Sequence, residues 1–269
     1  MLLPPSVRYC PGPVDPTSRQ AWTRAASNYL AHCARKTNWN KLIEIPAMRR
    51  MLGDVRGKRT LEVGCGPAHY SIWLAEHGAE AWGFDPVAAL LEAAEGSAEA
   101  AGVELQLRHG GVECLSEHPS AEFDIVLFPM MLEYVDDIGA TFREAHRLLK
   151  PDGFVAISIV HPMRNLSVKY ETDDGEGLRI ISGYLESGVF EWSLWIMRDA
   201  EGNDIVCRSH RRTIEDYVEA LVGAGFLIEA IREPDASPEA WELGPRGCRN
   251  NHHCPQFMLL KAVKDPRRL

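Results

Sequence analysis

The sequence predicts an α/β protein built on an open, mostly parallel sheet, and three observations carry that prediction. From about residue 57, short apolar runs suited to buried strands alternate with stretches of helical length and spacing. A glycine turn, Gly64-Cys65-Gly66-Pro67, joins the first run to the first helix. An acid, Asp85, closes the second run about 20 residues later, the spacing at which a strand-tip carboxylate meets the ribose of an adenosine-bearing ligand. Glycines at such a turn expose backbone N–H groups that no Cβ shields.

Taken in order, residues 1 to 18 are proline-rich and polar and read as an extended arm. Trp22 to Lys36 has helical spacing, with Trp22, Ala25, Ala26, Tyr29, Leu30 and Cys33 on one face. A second helix runs from about Pro46 to Leu52, its proline suited to a first turn. Leu61 and Val63 lie in the first core strand. Ile72, Trp73, Leu74 and Ala75 give the next helix its apolar surface, and Gly78 stops it. Ala81, Trp82 and Phe84 form the second strand. Pro86 opens a helix over Val87 to Ala101 that Gly102 ends, and Val103 to Leu107 is a third strand. Phe123 to Phe128 is apolar enough for a strand buried on both faces. A helix then runs through Thr141 to Leu149, Lys150 to Gly153 turns, and Phe154 to Val160 is the fifth strand.

From His161 to Arg212 the rhythm stops. Tyr170, Tyr184, Phe190, Trp192 and Trp195 are spread among glycines and charges, and a segment of this length suits a lid. Thr213 is a good helix N-cap with Asp216 at the third turn position, and Gly223 to Gly225 ends that helix. Phe226 to Ile231 and Phe257 to Val263 read as two strands joined by a proline-rich loop. The expected division is an N-terminal arm and helical cap (1–56), a ligand-binding core (57–160), a lid insertion (161–212) and a C-terminal helix and hairpin completing the core (213–269).

Composition narrows the function classes. A net charge of −9 argues against sequence-independent nucleic-acid binding, which rests on a basic face. No run approaches the roughly 20 apolar residues of a membrane span, and the start Met-Leu-Leu-Pro-Pro-Ser is too short and proline-broken for a signal peptide. Seven scattered cysteines without a C-x-x-C fit a reduced, cytoplasmic protein. Cys248, His252, His253 and Cys254 have metal-ligand chemistry, but C-x3-H-H-C matches no familiar zinc spacing, so no metal is expected.

A dinucleotide turn would carry a third glycine where His69 stands. The run Glu62-Val63-Gly64-Cys65-Gly66-Pro67 instead resembles motif I of class I S-adenosylmethionine (SAM)-dependent methyltransferases. So do Phe123-Asp124-Ile125-Val126 and the stretch E-x-x-R-L-L-K-P-D-G-F from Glu144. His161-Pro162, and H-R-R-T-I-x-x-Y-x-x-A-L-x-x-A-G-F-x-I from His210, resemble the ubiquinone- and menaquinone-biosynthesis subgroup. The resemblance covers about residues 20 to 265. It implies a Rossmann-like, doubly wound, seven-stranded sheet with the last strand antiparallel. It also implies methyl transfer from SAM to an O, N or C atom of a small metabolite, leaving S-adenosylhomocysteine. A small-molecule substrate is then the expected partner, with no nucleic acid, no membrane, and a homodimer as the open assembly. The alternatives are an NAD(P)-binding Rossmann oxidoreductase and a SAM-binding protein without transfer activity.

The same resemblance distributes roles. Glu62 organises the loop facing the amino-acid end of SAM, formed by Gly64, Cys65 and Gly66; Ala68 stands where the family usually has a further glycine. Asp85 and Pro86 meet the ribose. Gly111 and Val112 bracket adenine, with Gly111 where most members carry an aspartate, so that Glu113 or backbone groups read the base. Tyr29 reaches the SAM carboxylate or the substrate, or simply packs. Phe128, Pro129 and Met130 form the fourth strand tip; they lack both the N-P-P-Y type sequence of amino methyltransferases and the acids of a metal-dependent catechol site. For chemistry, His161 at the fifth strand tip is the first candidate base, with His210 and Tyr184 behind it. Arg211, among Arg208 and Arg212, is suited to a substrate carboxylate or phosphate. Glu133 and Tyr134 line the transfer site or form the first turn of an ordinary helix. Trp192 and Trp195 are candidates to pack a flat substrate.

Overall fold

A computed structural model describes residues 7–9, 17–164, 167–170, 178–181, 183–192 and 197–268. Among them seven strands form the central sheet: β2 (Arg59–Val63), β3 (Glu80–Asp85), β4 (Gln106–His109), β5 (Phe123–Pro129), β6 (Leu149–Val160), β11 (Phe226–Arg232) and β12 (Phe257–Lys264). Their order is β11-β12-β6-β5-β2-β3-β4. All pair in parallel except β12, which runs antiparallel to both β6 and β11. Strand β5 is buried along nearly its whole length, as its continuous apolar run requires.

Helices cover both faces. On one side α5 (Ile138–Leu148) and α6 (Ile214–Gly223) bury Phe142, Leu148, Tyr217 and Leu221 against Phe123, Phe128 and Ile157. On the other, α2 (Ile45–Leu52) and α3 (His69–Glu76) bring Met48, Leu52, Tyr70 and Leu74 against Ile125, Leu127 and Leu259. Helix α4 (Ala88–Ala101) follows β3 and packs beside α3. Both oxygens that the sequence suggested for the cap of α6 are used: Asp216 N–H donates to Thr213 Oγ1 (3.1 Å) and Thr213 N–H to Asp216 Oδ2 (2.7 Å).

Three segments differ from the sequence expectation. The turn at Lys150–Gly153 is absorbed into β6, where Leu149 pairs with Phe123 and the register shifts before Phe154 pairs with Ile125. The segment between β11 and β12 is not a plain loop, because its prolines open helices α7 (Pro238–Leu243) and α8 (Pro245–His253) at their first positions. A separate antiparallel sheet unites β1 (Val7–Tyr9) with β9 (Gly188–Trp192) and β10 (Cys207–Arg211), with β9 in the middle. The arm and the insertion therefore share one cap, and a short pair, β7 (Ser167–Tyr170) with β8 (Leu178–Ile181), belongs to the same insertion. Helix α1 (Thr17–Ala34) packs under the cap sheet through Ala21 and Ala25 against Cys207, Ile205 and Met197.

Candidate active site

A cleft of about 550 Å³ opens beyond the carboxyl ends of β2, β3 and β5, where the strand order reverses. Its floor is the turn after β2. Gly64 and Cys65 N–H groups both donate to Phe84 O (2.8 and 2.9 Å), and Gly66 N–H donates to Asp85 Oδ2 (2.8 Å). Gly64 sits at φ +73°, and a Cβ there would lie 2.9 Å from Met131 Cβ, so only glycine lets the turn close against the β5 tip. Ala68 adopts the left-handed conformation (φ 58°, ψ 38°), which explains why a glycine is usual at that position. Asp85 Oδ1 accepts from Val87 N–H (2.8 Å), so one carboxylate ties the glycine turn to the start of α4. Burial raises the pKa of Asp85 against the lowering effect of these bonds.

Glu62, Cys65 and Phe128 are not cleft residues. Glu62 is 2% exposed and accepts from Ser71 N–H (2.8 Å) and Ser71 Oγ (2.6 Å), fastening α3 beneath the turn. Burial pushes its pKa up to about 8 against those bonds, and the charges of Asp85 and Glu44 add to the rise. Cys65 faces inward against Gly83, and Phe128 packs edge-on against Phe142 at 5.9 Å. The others in the expected cofactor set come together: Tyr29, Gly64, Gly66, Asp85, Pro86, Gly111, Val112, Pro129 and Met130 all line the cleft. Glu113 joins them and folds back so that its Oε1 accepts from Gly111 N–H (2.9 Å).

The roof is aromatic. Trp22 meets Tyr29 edge-on at 5.1 Å and Tyr134 at 5.5 Å, and Tyr134 meets Trp192 of the cap at 6.4 Å. Trp192 Nε1 donates to Ser209 Oγ (2.8 Å), which fixes the indole on the cap sheet; Trp195 lies outside the described residues. Arg212, beside the expected Arg211, donates from Nη1 to Leu132 O (2.8 Å) and from Nη2 to Val135 O and Asp136 O, clamping the loop that carries Tyr134. Arg211 does not line the cleft; it stacks 3.6 Å from the Phe190 ring centre, and among the described residues its buried Nη1 has no hydrogen-bond partner. Arg19 and Met131, which no sequence motif marks, also line the cleft; Arg19 Nε donates to Pro86 O (3.1 Å) and docks α1 on the ribose corner.

The candidate bases are placed apart from one another. His161 is 0% exposed, Nε2 lies 2.8 Å from Glu233 Oε1, and Nδ1 accepts from Met163 N–H (3.2 Å). It does not line the cleft. Tyr184 Oη accepts from Ile214 N–H (3.0 Å) at the start of α6. His210 Nε2 lies 3.0 Å from Asp136 Oδ1, and Asp136 does line the cleft; burial lowers the His210 pKa against the pull of that aspartate. Glu133, 9% exposed, sits in the turn Leu132–Tyr134, and burial pushes its pKa up to about 7. Among the described residues no three His, Cys, Asp or Glu side chains converge as metal ligands; His252 instead pairs with Asp235 (2.7 Å).

This arrangement suits SAM: a glycine turn at the cleft floor where Gly64 leaves no room for a Cβ, an acid at the ribose corner, and apolar Leu90, Val112 and Pro129 in the lining. A family model described as a methyltransferase domain matches residues 61–157. A ubiquinone biosynthesis O-methyltransferase of Pseudomonas putida is 34% identical over 214 residues, 74% of this chain and 90% of its own length. An uncharacterized protein of Haemophilus influenzae is 25% identical over 241 residues, 86% of this chain and 91% of its own. The crystal structure of an S-adenosylmethionine dependent methyltransferase from Mesorhizobium loti is 28% identical, with a TM-score of 0.67 over 81% of this chain and 96% of that one. Fold, cleft and relatives define one class, and the chain belongs to it: it is a SAM-dependent methyltransferase with a Rossmann-like fold. Its cofactor is SAM, and its reaction is methyl transfer.

Proposed function

We propose that the acceptor is a small, flat, hydroxylated molecule, methylated on oxygen. The observation that carries this reading is the aromatic run Tyr29–Trp22–Tyr134, which lines the cleft with ring faces and edges suited to a planar guest, with Trp192 of the cap packed behind Tyr134. The name of the Pseudomonas putida relative, a ubiquinone biosynthesis O-methyltransferase, supports an oxygen acceptor. SAM supplies a methyl group already activated on a sulfonium. The protein's work is then alignment and exclusion of water, worth on the order of 7–11 kcal/mol. Tyr29, the Gly64–Gly66 turn and Asp85 hold the donor side, while Trp22 and Tyr134 hold the acceptor plane. The overall charge of −9 favours a free metabolite over nucleic acid, and the buried free cysteines fit a reducing cytoplasm. No described helix is long and apolar enough to cross a membrane. Incubation with labelled SAM and a metabolite extract, followed by mass spectrometry, should yield a hydroxylated product one methyl heavier. Label appearing only on amines or carbon would reject the oxygen acceptor.

A further inference from the structure

The wall of the cleft that carries Tyr134 is held from a distance. After β5 the chain makes one short turn, Leu132–Tyr134, and α5 begins only at Ile138. Within the turn Tyr134 N–H donates to Met131 O (3.0 Å) and Val135 N–H to Leu132 O (3.2 Å). The next backbone bond opens α5, where Thr141 N–H donates to Asp137 O (3.1 Å). Among the described residues the carbonyls of Val135 and Asp136 therefore have no backbone donor, although Met131, Tyr134, Val135 and Asp136 all line the cleft. Arg212 meets that need. Its Nη1 donates to Leu132 O (2.8 Å), and its Nη2 donates to Val135 O and Asp136 O. One planar guanidinium satisfies three converging carbonyls, which the compact charge of a lysine does not reproduce. Arg212 also stands where the cap returns to the core, between the end of β10 at Arg211 and the α6 cap at Thr213. Two weaker links run beside it: His210 Nε2 to Asp136 Oδ1 (3.0 Å), and Trp192 behind Tyr134 with ring centres 6.4 Å apart.

We propose that Arg212 is a positioning residue for the acceptor: it fixes the wall from Met131 to Asp136 so that Tyr134 presents the acceptor to the methyl group. The inference rests on the reading that Trp22 and Tyr134 hold the acceptor plane, whichever atom is methylated. Arg212 is not in the cleft lining, so it acts through the three carbonyls and not by contact with either substrate. In-line transfer is sensitive to such support, since a misplacement of about 1 Å costs on the order of 10²-fold in rate. The donor side is bonded independently of Arg212, through Gly64 N–H to Phe84 O and Gly66 N–H to Asp85 Oδ2. Loss of the clamp therefore separates the two substrates: the acceptor is misplaced while the cofactor stays bound. It also makes the cap part of the acceptor site, because the residue that closes the insertion sets the wall.

The test uses the full chain with Arg212→Lys and Arg212→Gln, SAM as donor and 4-nitrocatechol as acceptor, with Tyr134→Leu as a control on the acceptor plane. In both Arg212 variants kcat/KM for 4-nitrocatechol should fall about 10–10²-fold, with its KM raised. The KM for SAM and the calorimetric affinity for S-adenosylhomocysteine should stay within about threefold, at unchanged stoichiometry. Hydrogen exchange of the S-adenosylhomocysteine complex, read by mass spectrometry, should be about tenfold faster in the segment 132–136 and unchanged in the central sheet. This measurement stands whatever acceptor the enzyme takes, and it alone decides if 4-nitrocatechol is not turned over. A merely structural role would lower the melting temperature and the binding stoichiometry, scaling kcat down with both KM values unchanged. Unchanged exchange in the segment, or kcat/KM within about threefold of wild type in both variants, overturns the assignment. So does loss of S-adenosylhomocysteine binding in both, which would make Arg212 a folding residue. A Tyr134→Leu variant with unchanged KM for 4-nitrocatechol rejects the acceptor plane, and the Arg212 assignment with it. If Tyr134→Leu raises that KM and the Arg212 variants do not, the Arg212 assignment alone fails.

Discussion

Glu62 offers the sharpest thermodynamic test, because its burial and its bonds pull in opposite directions. The carboxylate accepts two hydrogen bonds from Ser71, which favour ionisation, yet burial and the neighbouring charges of Asp85 and Glu44 raise its pKa from 4.5 to about 8. The sign follows from which state holds the proton. Between pH 4.5 and 8 the folded protein keeps a proton that the unfolded chain has released, so stability falls as pH rises through this window. At about 1.4 kcal/mol per pH unit, the loss is on the order of 4–5 kcal/mol by about pH 9. Glu62→Gln removes the titration and retains a side-chain oxygen for the Ser71 donors. Urea unfolding followed by tryptophan fluorescence from about pH 5 to 9 should show the variant gaining stability relative to wild type by that amount. His32, His69, His146 and His210, whose pKa values are lowered by burial, change stability in the opposite sense, but they are common to both proteins and cancel in the difference. A difference that moves by less than about 1 kcal/mol across the window would refute the account.

Asp85→Ala removes the carboxylate bonded to Gly66 and Val87 N–H groups, and should weaken SAM binding by about 1–3 kcal/mol in titration calorimetry. Ala68 at φ 58° gives a pair of outcomes in chemical denaturation. Ala68→Gly relieves about 1–2 kcal/mol of left-handed strain but forfeits a buried methyl and adds chain entropy, so stability should stay within about 1 kcal/mol; Ala68→Val should cost more than about 2 kcal/mol. His161→Ala should cost about 2–4 kcal/mol in urea unfolding, from the lost Glu233 bond and the cavity, while turnover well below the melting temperature changes less than about fivefold. A hundredfold turnover loss at unchanged stability would instead make His161 the base.

The sheet and the cofactor cleft were legible because they rest on local constraints. A glycine turn between an apolar strand and a helix, followed by an acid at the next strand tip, admits few backbone arrangements. The parallel strands are buried on both faces and therefore read as continuous apolar runs. Glu62 was legible as a residue of the turn, although it anchors Ser71 rather than facing the ligand. Less legible was anything assembled from distant segments. The β1-β9-β10 sheet pairs residues about 180 positions apart, and neither the proline-rich arm nor the glycine-interrupted insertion shows the alternation of an independent strand.

The choice of base exposes the same boundary between position and orientation. A histidine at the tip of a parallel strand points toward the ligand side of the sheet only if its neighbours leave that path open. Here β12 runs antiparallel beside β6 and delivers Gln256 O to the His161 backbone N–H (2.8 Å), while the segment after β11 lays Glu233 over its ring. Those residues lie 72 or more positions from His161, so nothing near it announces that the imidazole is enclosed. Glu133 reads in the opposite way. Its acidic side chain, just beyond an apolar strand tip, looks like part of the first turn of a helix, where acids favour the positive end of the dipole. The helix begins only at Ile138, with Asp137 as its cap accepting from Ala140 N–H (2.7 Å). Glu133 instead sits in the short Leu132–Tyr134 turn, nine-tenths buried and outside the cleft lining, and that burial raises its pKa to about 7. That burial exists only once Arg212, 76 to 80 positions away, has bonded the carbonyls of Leu132, Val135 and Asp136 and clamped the turn, so no local pattern around Glu133 announces it.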